Sequence, residues 1–252
     1  MTRLLAFLLL ALALPVSAQE ALAQIRTAGV LKIGTEGDYP PFTYHDAAGQ
    51  LVGFDVELAQ AVAQQLGVKA QFVEGRWDGL IAGLDVARYD VVVNEVSISA
   101  ARQAKYDFSQ PYIVSRAALI VRNDNTSIKS FADLKGKKSP NSLTSNFAKL
   151  AKDNGAEVIP VQGFNESVEF LVSGRADATI NDSLSFLDFK RHQPTAPLKA
   201  VAYEQHAESA GIVLRKGNPG LLDAVNRALA QIRADGTYRR ISLKYFGQDV
   251  SR

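Results

Sequence analysis

The chain's folding options are narrowed most by two apolar runs, Tyr112 to Val121 and Ala210 to Leu214, because each divides one strand and helix alternation from another. Ahead of the first run, Leu31 to Gly34, Lys69 to Val73 and Val91 to Val93 read as short buried strands. Between them, Val56, Ala59, Val62, Ala63 and Leu66 recur at helical spacing up to a terminating Gly67, and Trp77, Leu80, Ile81 and Leu84 share a second helical face. This β-α-β-α-β order is the signature of a mainly parallel sheet flanked by helices. A second alternation follows: helix Phe131 to Lys135, strand Lys137 to Ser139, helix Ser145 to Asn154, strand Val158 to Val161, a helix through Val168, Leu171 and Val172, and strand Ala176 to Ile180. After the second run, Leu222, Val225, Leu229 and Ile232 mark a long helix. The pattern predicts an α/β protein of two lobes, each a mainly parallel sheet with flanking helices, joined by two hinge strands. Residues 19–113 and 208–252 are expected in the first lobe and 114–207 in the second, with a crevice between them.

Residues 1–18 have the make-up of a leader. Arg3 is followed by an apolar run from Leu4 to Val16 and by the small residues Ser17 and Ala18. The run is too short to span a bilayer and reads as a cleaved secretory signal, which predicts an exported, periplasmic protein. Cysteine is absent, so no disulfide or lipid-anchored cysteine is available and stability rests on the core. A net charge of +2 is too small for a nucleic-acid footprint. His45, His192 and His206 have no metal-ligand spacing, and no Gly-rich phosphate loop or Gly-x-Ser-x-Gly elbow occurs, so neither cofactor nor metal is expected.

Candidate binding residues follow from the sheet argument, because open α/β sheets bind ligands outside the carboxyl ends of their strands. After Val91 to Val93 the polar residues Asn94, Glu95, Ser97 and Ser99 lead to Arg102, whose guanidinium can clamp a carboxylate. In the second alternation Ser142-Leu143-Thr144-Ser145 opens a helix, and Asp182 ends a strand. Each has an ordinary alternative: a solvated helix arginine, and N-caps at Ser142 or Thr144 and at Asp182. Together they match an α-amino acid, with donors for its carboxylate and an acceptor for its ammonium.

Three further segments strengthen that reading: Gly53-Phe54-Asp55-Val56-Glu57-Leu58, Phe108-Ser109-Gln110-Pro111-Tyr112 after the Ser97 to Arg102 stretch, and Gly174-Arg175-Ala176-Asp177-Ala178. With them the mature chain resembles the periplasmic solute-binding proteins of ABC importers for polar amino acids. The WDGL at Trp77, NEVSIS at Asn94 and SLTSN at Ser142 look most like the cystine-binding branch. The resemblance implies that Arg102 pairs with the ligand carboxylate, aided by Thr144 and Ser145. It implies that Asp182, Ser97 and the carbonyl of Glu95 receive the α-ammonium, that Tyr39, Phe54 and Trp77 line the pocket, and that Glu36 meets the ligand side chain. An inner-membrane permease is the implied partner of a monomeric, non-enzymatic receptor. Two positions depart from the pattern: many relatives have glycine where Glu95 stands, and a Gly-Thr pair near Ser142-Leu143. The alternatives are a receptor for another polar or cationic amino acid, and an exported dehydratase-type enzyme in which Glu36 or Glu95 serves as general acid.

Overall fold

The computed structural model describes residues 20–251, so the leader expected at 1–18 lies outside the described residues. The first lobe is built on a five-stranded sheet in the order Lys69–Glu74, Val30–Thr35, Val91–Val92, Val213–Arg215, Tyr106–Phe108. Val30–Thr35 pairs in parallel with both neighbours, and Val213–Arg215 runs antiparallel to its two. Ile33, Val91, Val92 and Val213 are shut off from solvent, as strands covered on both faces by helices must be. One covering layer is Phe54–Gln65 with Pro219–Ala234, whose Leu58, Val62, Val225, Leu229 and Ile232 form one apolar cluster with the sheet. Gly53 precedes the first of these helices at φ 136°, and a Cβ there would lie 2.1 Å from the Phe42 carbonyl oxygen. Only glycine fits so close an approach.

In the second lobe Lys138–Asn141 pairs in parallel with Glu157–Pro160, and Ala117–Arg122 lies antiparallel between Ala178–Asp182 and Leu198–Tyr203. Pro140 interrupts the join between these two sheets, because it has no N–H to give. Side chains complete the join. The hydroxyls of Thr179 and Ser167 donate to the Pro140 carbonyl at 2.7 and 3.0 Å, and Asn141 Nδ2 donates to the Ile180 carbonyl at 2.8 Å. Leu119, Val121, Leu134, Ala178 and Ile180 form the core of this lobe.

Each apolar run that predicted the division proves to be two strands. The first breaks at exposed Arg116 into Ile113–Ser115 and Ala117–Arg122, and the second lies between Glu208–Ala210 and Val213–Arg215. Ile113–Ser115 and Glu208–Ala210 pair with each other as an antiparallel ribbon, with Ser115 opposite Glu208. Strands Tyr106–Phe108 and Leu198–Tyr203 and helices Glu20–Ala28 and Thr237–Phe246 are additions to the elements expected from the sequence.

Candidate functional site

The polar residues of the crevice come from strand ends. Glu36 follows Val30–Thr35, Glu95 lies just beyond Val91–Val92, and Asn181 and Asp182 close Ala178–Asp182. Glu36 is gripped by Asn94, which donates from Nδ2 to its carboxylate at 2.6 Å and accepts its backbone N–H at 2.7 Å. Burial, then the charge of Asp38, pushes the Glu36 carboxyl up to about 8, against the Asn94 bond.

Glu95 has φ 48°, a left-handed conformation that glycine adopts at no steric cost and other residues adopt rarely. The backbone is held there by its N–H, which donates to Asp55 Oδ2 at 2.6 Å and lies 3.0 Å from the Tyr112 hydroxyl. The residue is 7 % exposed, and its Oε1 accepts a long bond, 3.4 Å, from Ser115. Burial, followed by the charges of Asp182, Asp55 and Glu208, raises its pKa well above the carboxylate range.

Asp182 fulfils the N-cap reading. Its Oδ1 accepts the N–H groups of Leu184 and Ser185 at 2.8 and 3.2 Å, and its Oδ2 accepts the hydroxyl of Ser115. Burial lifts it to about 6 in spite of these bonds. Ser115 thus has one proton to share between two buried carboxylates, one from each lobe.

Arg102 stands on the short helix Ala100–Gln103, capped by Ser99. Its Nη1 donates to the Ser97 carbonyl at 2.9 Å, and the guanidinium lies 5.4 Å from the Trp77 ring centre. Burial lowers its pKa while Glu95 and Glu208 oppose that effect. Among the described residues it enters no ion pair, nor do Glu36, Glu95 or Asp182.

Glu36, Tyr39, Trp77, Glu95 and Ser145 line one cavity, together with Asn181. The Tyr39 hydroxyl donates to Asn181 Oδ1 at 3.0 Å, and Asn146 Nδ2 donates to Ser97 Oγ at 3.2 Å, so the lobes touch across the crevice. Ser145 caps helix Asn146–Asp153 through the Ala148 N–H. The N–H and hydroxyl of Thr144 both donate to Asp78. Phe54 is placed elsewhere: it is wholly buried in the first-lobe core, 5.1 to 6.2 Å from the rings of Phe246, Tyr238 and Tyr112. As the first helical residue after the tight Gly53 turn it points inward, not into the pocket that the resemblance implied for it.

Sequence reasoning passed over Asn146, Asn181, Ser115 and Glu208 as site residues. Asn146 and Asn181 adjoin residues that were singled out, Ser145 and Asp182, and share their helix start and strand end. Ser115 and Glu208 lie on the ribbon, where only the register brings them to the crevice. Among the described residues no group of three or more His, Cys, Asp or Glu side chains is arranged to hold a metal ion.

The chain matches the bacterial extracellular solute-binding proteins, family 3, over residues 31–248. It is 44% identical over 231 residues to the L-cystine-binding protein TcyA of Bacillus subtilis (strain 168), covering 91% of this chain and 86% of that one. Among solved structures, an ancestral arginine-binding protein bound to arginine is 42% identical with a TM-score of 0.82, covering 87% of this chain and 99% of its own. The L-cystine solute receptor of Neisseria gonorrhoeae in the unliganded open conformation is 43% identical, covering 92% of this chain and 99% of that one, yet its TM-score is 0.62. Nearly equal identity with unequal superposition is what a difference in lobe arrangement produces, and the direct contacts across the crevice place this structure on the closed side. The chain belongs to family 3 of the bacterial extracellular solute-binding proteins.

Proposed function

We propose that the protein is the periplasmic receptor of an ABC importer for amino acids, with cystine as its favoured cargo, and that it hands the closed complex to a membrane permease. The observation that carries this reading is the charge balance of the crevice. Glu95 and Asp182 are held out of water and Glu36 is partly buried, none of them with a cation in ion-pair contact, and Arg102 is partly buried without a carboxylate in contact. Such groups are costly to bury alone and favourable when paired. An amino acid answers the arrangement: Arg102 clamps its carboxylate, and Asp182, with Ser97 and the Glu95 carbonyl, takes the α-ammonium. Tyr39 and Trp77 enclose it, and Ser145 contributes from the second lobe. Cystine carries a second ammonium, which Glu36 or Glu95 receives. The cystine-binding relative supports this choice over a plain cationic amino acid.

Both lobes supply contacts, so a ligand gains bonds on closure that are absent in the open form, and that difference shifts the population toward closure. Native mass spectrometry of freshly purified protein, followed by titration calorimetry with cystine, arginine, glutamine and serine, tests the reading. Tightest binding of cystine is expected, with its mass unchanged after incubation. Binding of arginine in preference to cystine would overturn the cargo, and conversion of the ligand would overturn the receptor reading. Scattering should show a smaller radius of gyration at saturation, and an unchanged radius in a protein that starts open would refute closure.

A further inference from the structure

We propose that Asp78 and Thr144 form a clasp that holds the crevice shut and sets how long a ligand stays inside. The proposal deepens the receptor reading and rests on it for the presence of an enclosed ligand. Its basis is a two-donor bond between the lobes. The N–H and the hydroxyl of Thr144 each donate to one oxygen, Asp78 Oδ1, both at 2.9 Å. Asp78 lies in the first turn of the short helix Trp77–Leu80 of the first lobe. Thr144 belongs to the second lobe, in the loop before helix Asn146–Asp153.

That loop is stiff. Ser145 donates to the Ser142 carbonyl twice, from its N–H at 3.0 Å and its hydroxyl at 2.7 Å, and the Ser142 hydroxyl reaches the Gln162 carbonyl at 3.2 Å. The backbone is therefore held on both sides of Thr144.

Position separates the pair from ligand contact. Asp78 and Thr144 are exposed, and neither lines the inner cavity, whereas their neighbours Trp77 and Ser145 do. Other bonds between the lobes, Tyr39 to Asn181 and the Ser185 hydroxyl to the Pro40 carbonyl at 2.8 Å, join neutral groups, and the one from Asn146 Nδ2 to the Glu208 carboxylate at 2.6 Å lies on the ribbon. The Asp78 bond is charge-assisted, and opening the lobes breaks both of its arms at once. In this assignment Thr144 serves closure, and the ligand carboxylate is left to Arg102. Because the pair faces water, its contribution is modest. Loss of either partner should raise the ligand dissociation rate about two- to fivefold, with the association rate little changed.

The test uses the full-length protein with L-cystine as probe, in stopped-flow dissociation of wild type, Asp78→Ala, Asp78→Asn, Thr144→Val and the Asp78→Ala/Thr144→Val pair. Expected are faster release in each single variant, a double variant no worse than Asp78→Ala, and an unchanged ranking of cystine over serine and glutamine. Melting curves verify folding. Unchanged release, fully additive effects, or tighter binding in Asp78→Ala would overturn the clasp, the last by showing that Asp78 competes with ligand for the Thr144 donors. A second readout needs no ligand. Cysteine is absent from the chain, so maleimide spin labels on Lys105→Cys and Lys152→Cys report the distance between the lobes. Asp78→Ala should deplete the short-distance population of the unliganded protein. An unaltered distribution refutes the clasp even if cystine proves to be the wrong cargo.

Discussion

Replacing Glu36 with glutamine should flatten the pH dependence of stability in the unliganded protein. The carboxyl's ordinary value of 4.5 is pushed up to about 8, by burial first and the Asp38 charge second. Between those two values the folded protein keeps a proton that the unfolded chain has released. An acid whose folded pKa is raised adds stability that is complete below the unfolded value and lost as pH climbs through the folded one. Each pH unit in that window removes about 1.4 kcal/mol, so the whole window approaches ~5 kcal/mol. That figure is a ceiling, because opening of the lobes rehydrates Glu36 before the chain unfolds. A chain of this size moves by about 2 to 4 °C per kcal/mol, so even a third of the ceiling shifts the melting point by several degrees. Glutamine retains an acceptor for Asn94 Nδ2 and has no proton to lose. The assay is a melting series from pH 5 to pH 8.5 on both proteins. Wild type should lose clearly more of its melting temperature across the series than Glu36→Gln. Asp182 at about 6 and Asp55 at about 7 tilt both curves equally, so the difference isolates Glu36. Saturating cystine should flatten the wild-type curve, its ammonium taking the place of the proton. Parallel curves for the two unliganded proteins would refute the reasoning.

Arg102→Ala should keep its fold and lose about two to four decades of affinity, the ~3 to 5 kcal/mol cost of stranding one partner of a desolvated pair, and near wild-type binding by calorimetry would remove it from the site. In a thermal-shift panel Glu36→Gln should narrow the preference for cystine over glutamine, while equal wild-type shifts for all amino acids would exclude Glu36 as a selector. Gly53→Ala should destabilise by about 2 kcal/mol or more, since the new Cβ meets the Phe42 carbonyl, and an unchanged melting curve would contradict that close approach.

The two-lobed plan was legible because its signals are local. Val56, Val62 and Leu66 repeat at helical spacing, and the β-branched run at Val91 is confined to a few residues, so each element could be read within its own window. The rule about sheets singled out Glu95, Ser97, Arg102, Ser145 and Asp182, and the resemblance added Glu36, Tyr39 and Trp77; of these Glu36, Tyr39, Trp77, Glu95 and Ser145 line one cavity, while Ser97, Arg102 and Asp182 are not among its walls. What escaped depends on register and on distant partners. Leu198–Tyr203 is only partly buried along most of its length, so its strand signal is weak until Ala117–Arg122 lies beside it. Phe54 looks the same in sequence whether it faces ligand or core. The rings of Tyr238 and Phe246, nearly two hundred positions later, decide the matter. Asp78 was visible only as part of WDGL, and nothing in that segment pointed to its partner Thr144, 66 residues away.

The ribbon of Ile113–Ser115 and Glu208–Ala210 has a consequence for the order of events. In a rotation about a fixed line, displacement grows with distance from that line. Ser115 and Glu208 sit on the ribbon itself, within reach of Asp182 and Asn146. Their neighbourhood should therefore keep nearly the same shape at every angle of opening, and offer an arriving ammonium a landing place before any closure. Asp78 and Thr144 lie at the exposed rim, at the end of the lever. On the receptor and clasp proposals, capture should begin at the axis and finish at the rim, with release in reverse, so that the two ends of one crevice govern different rate constants.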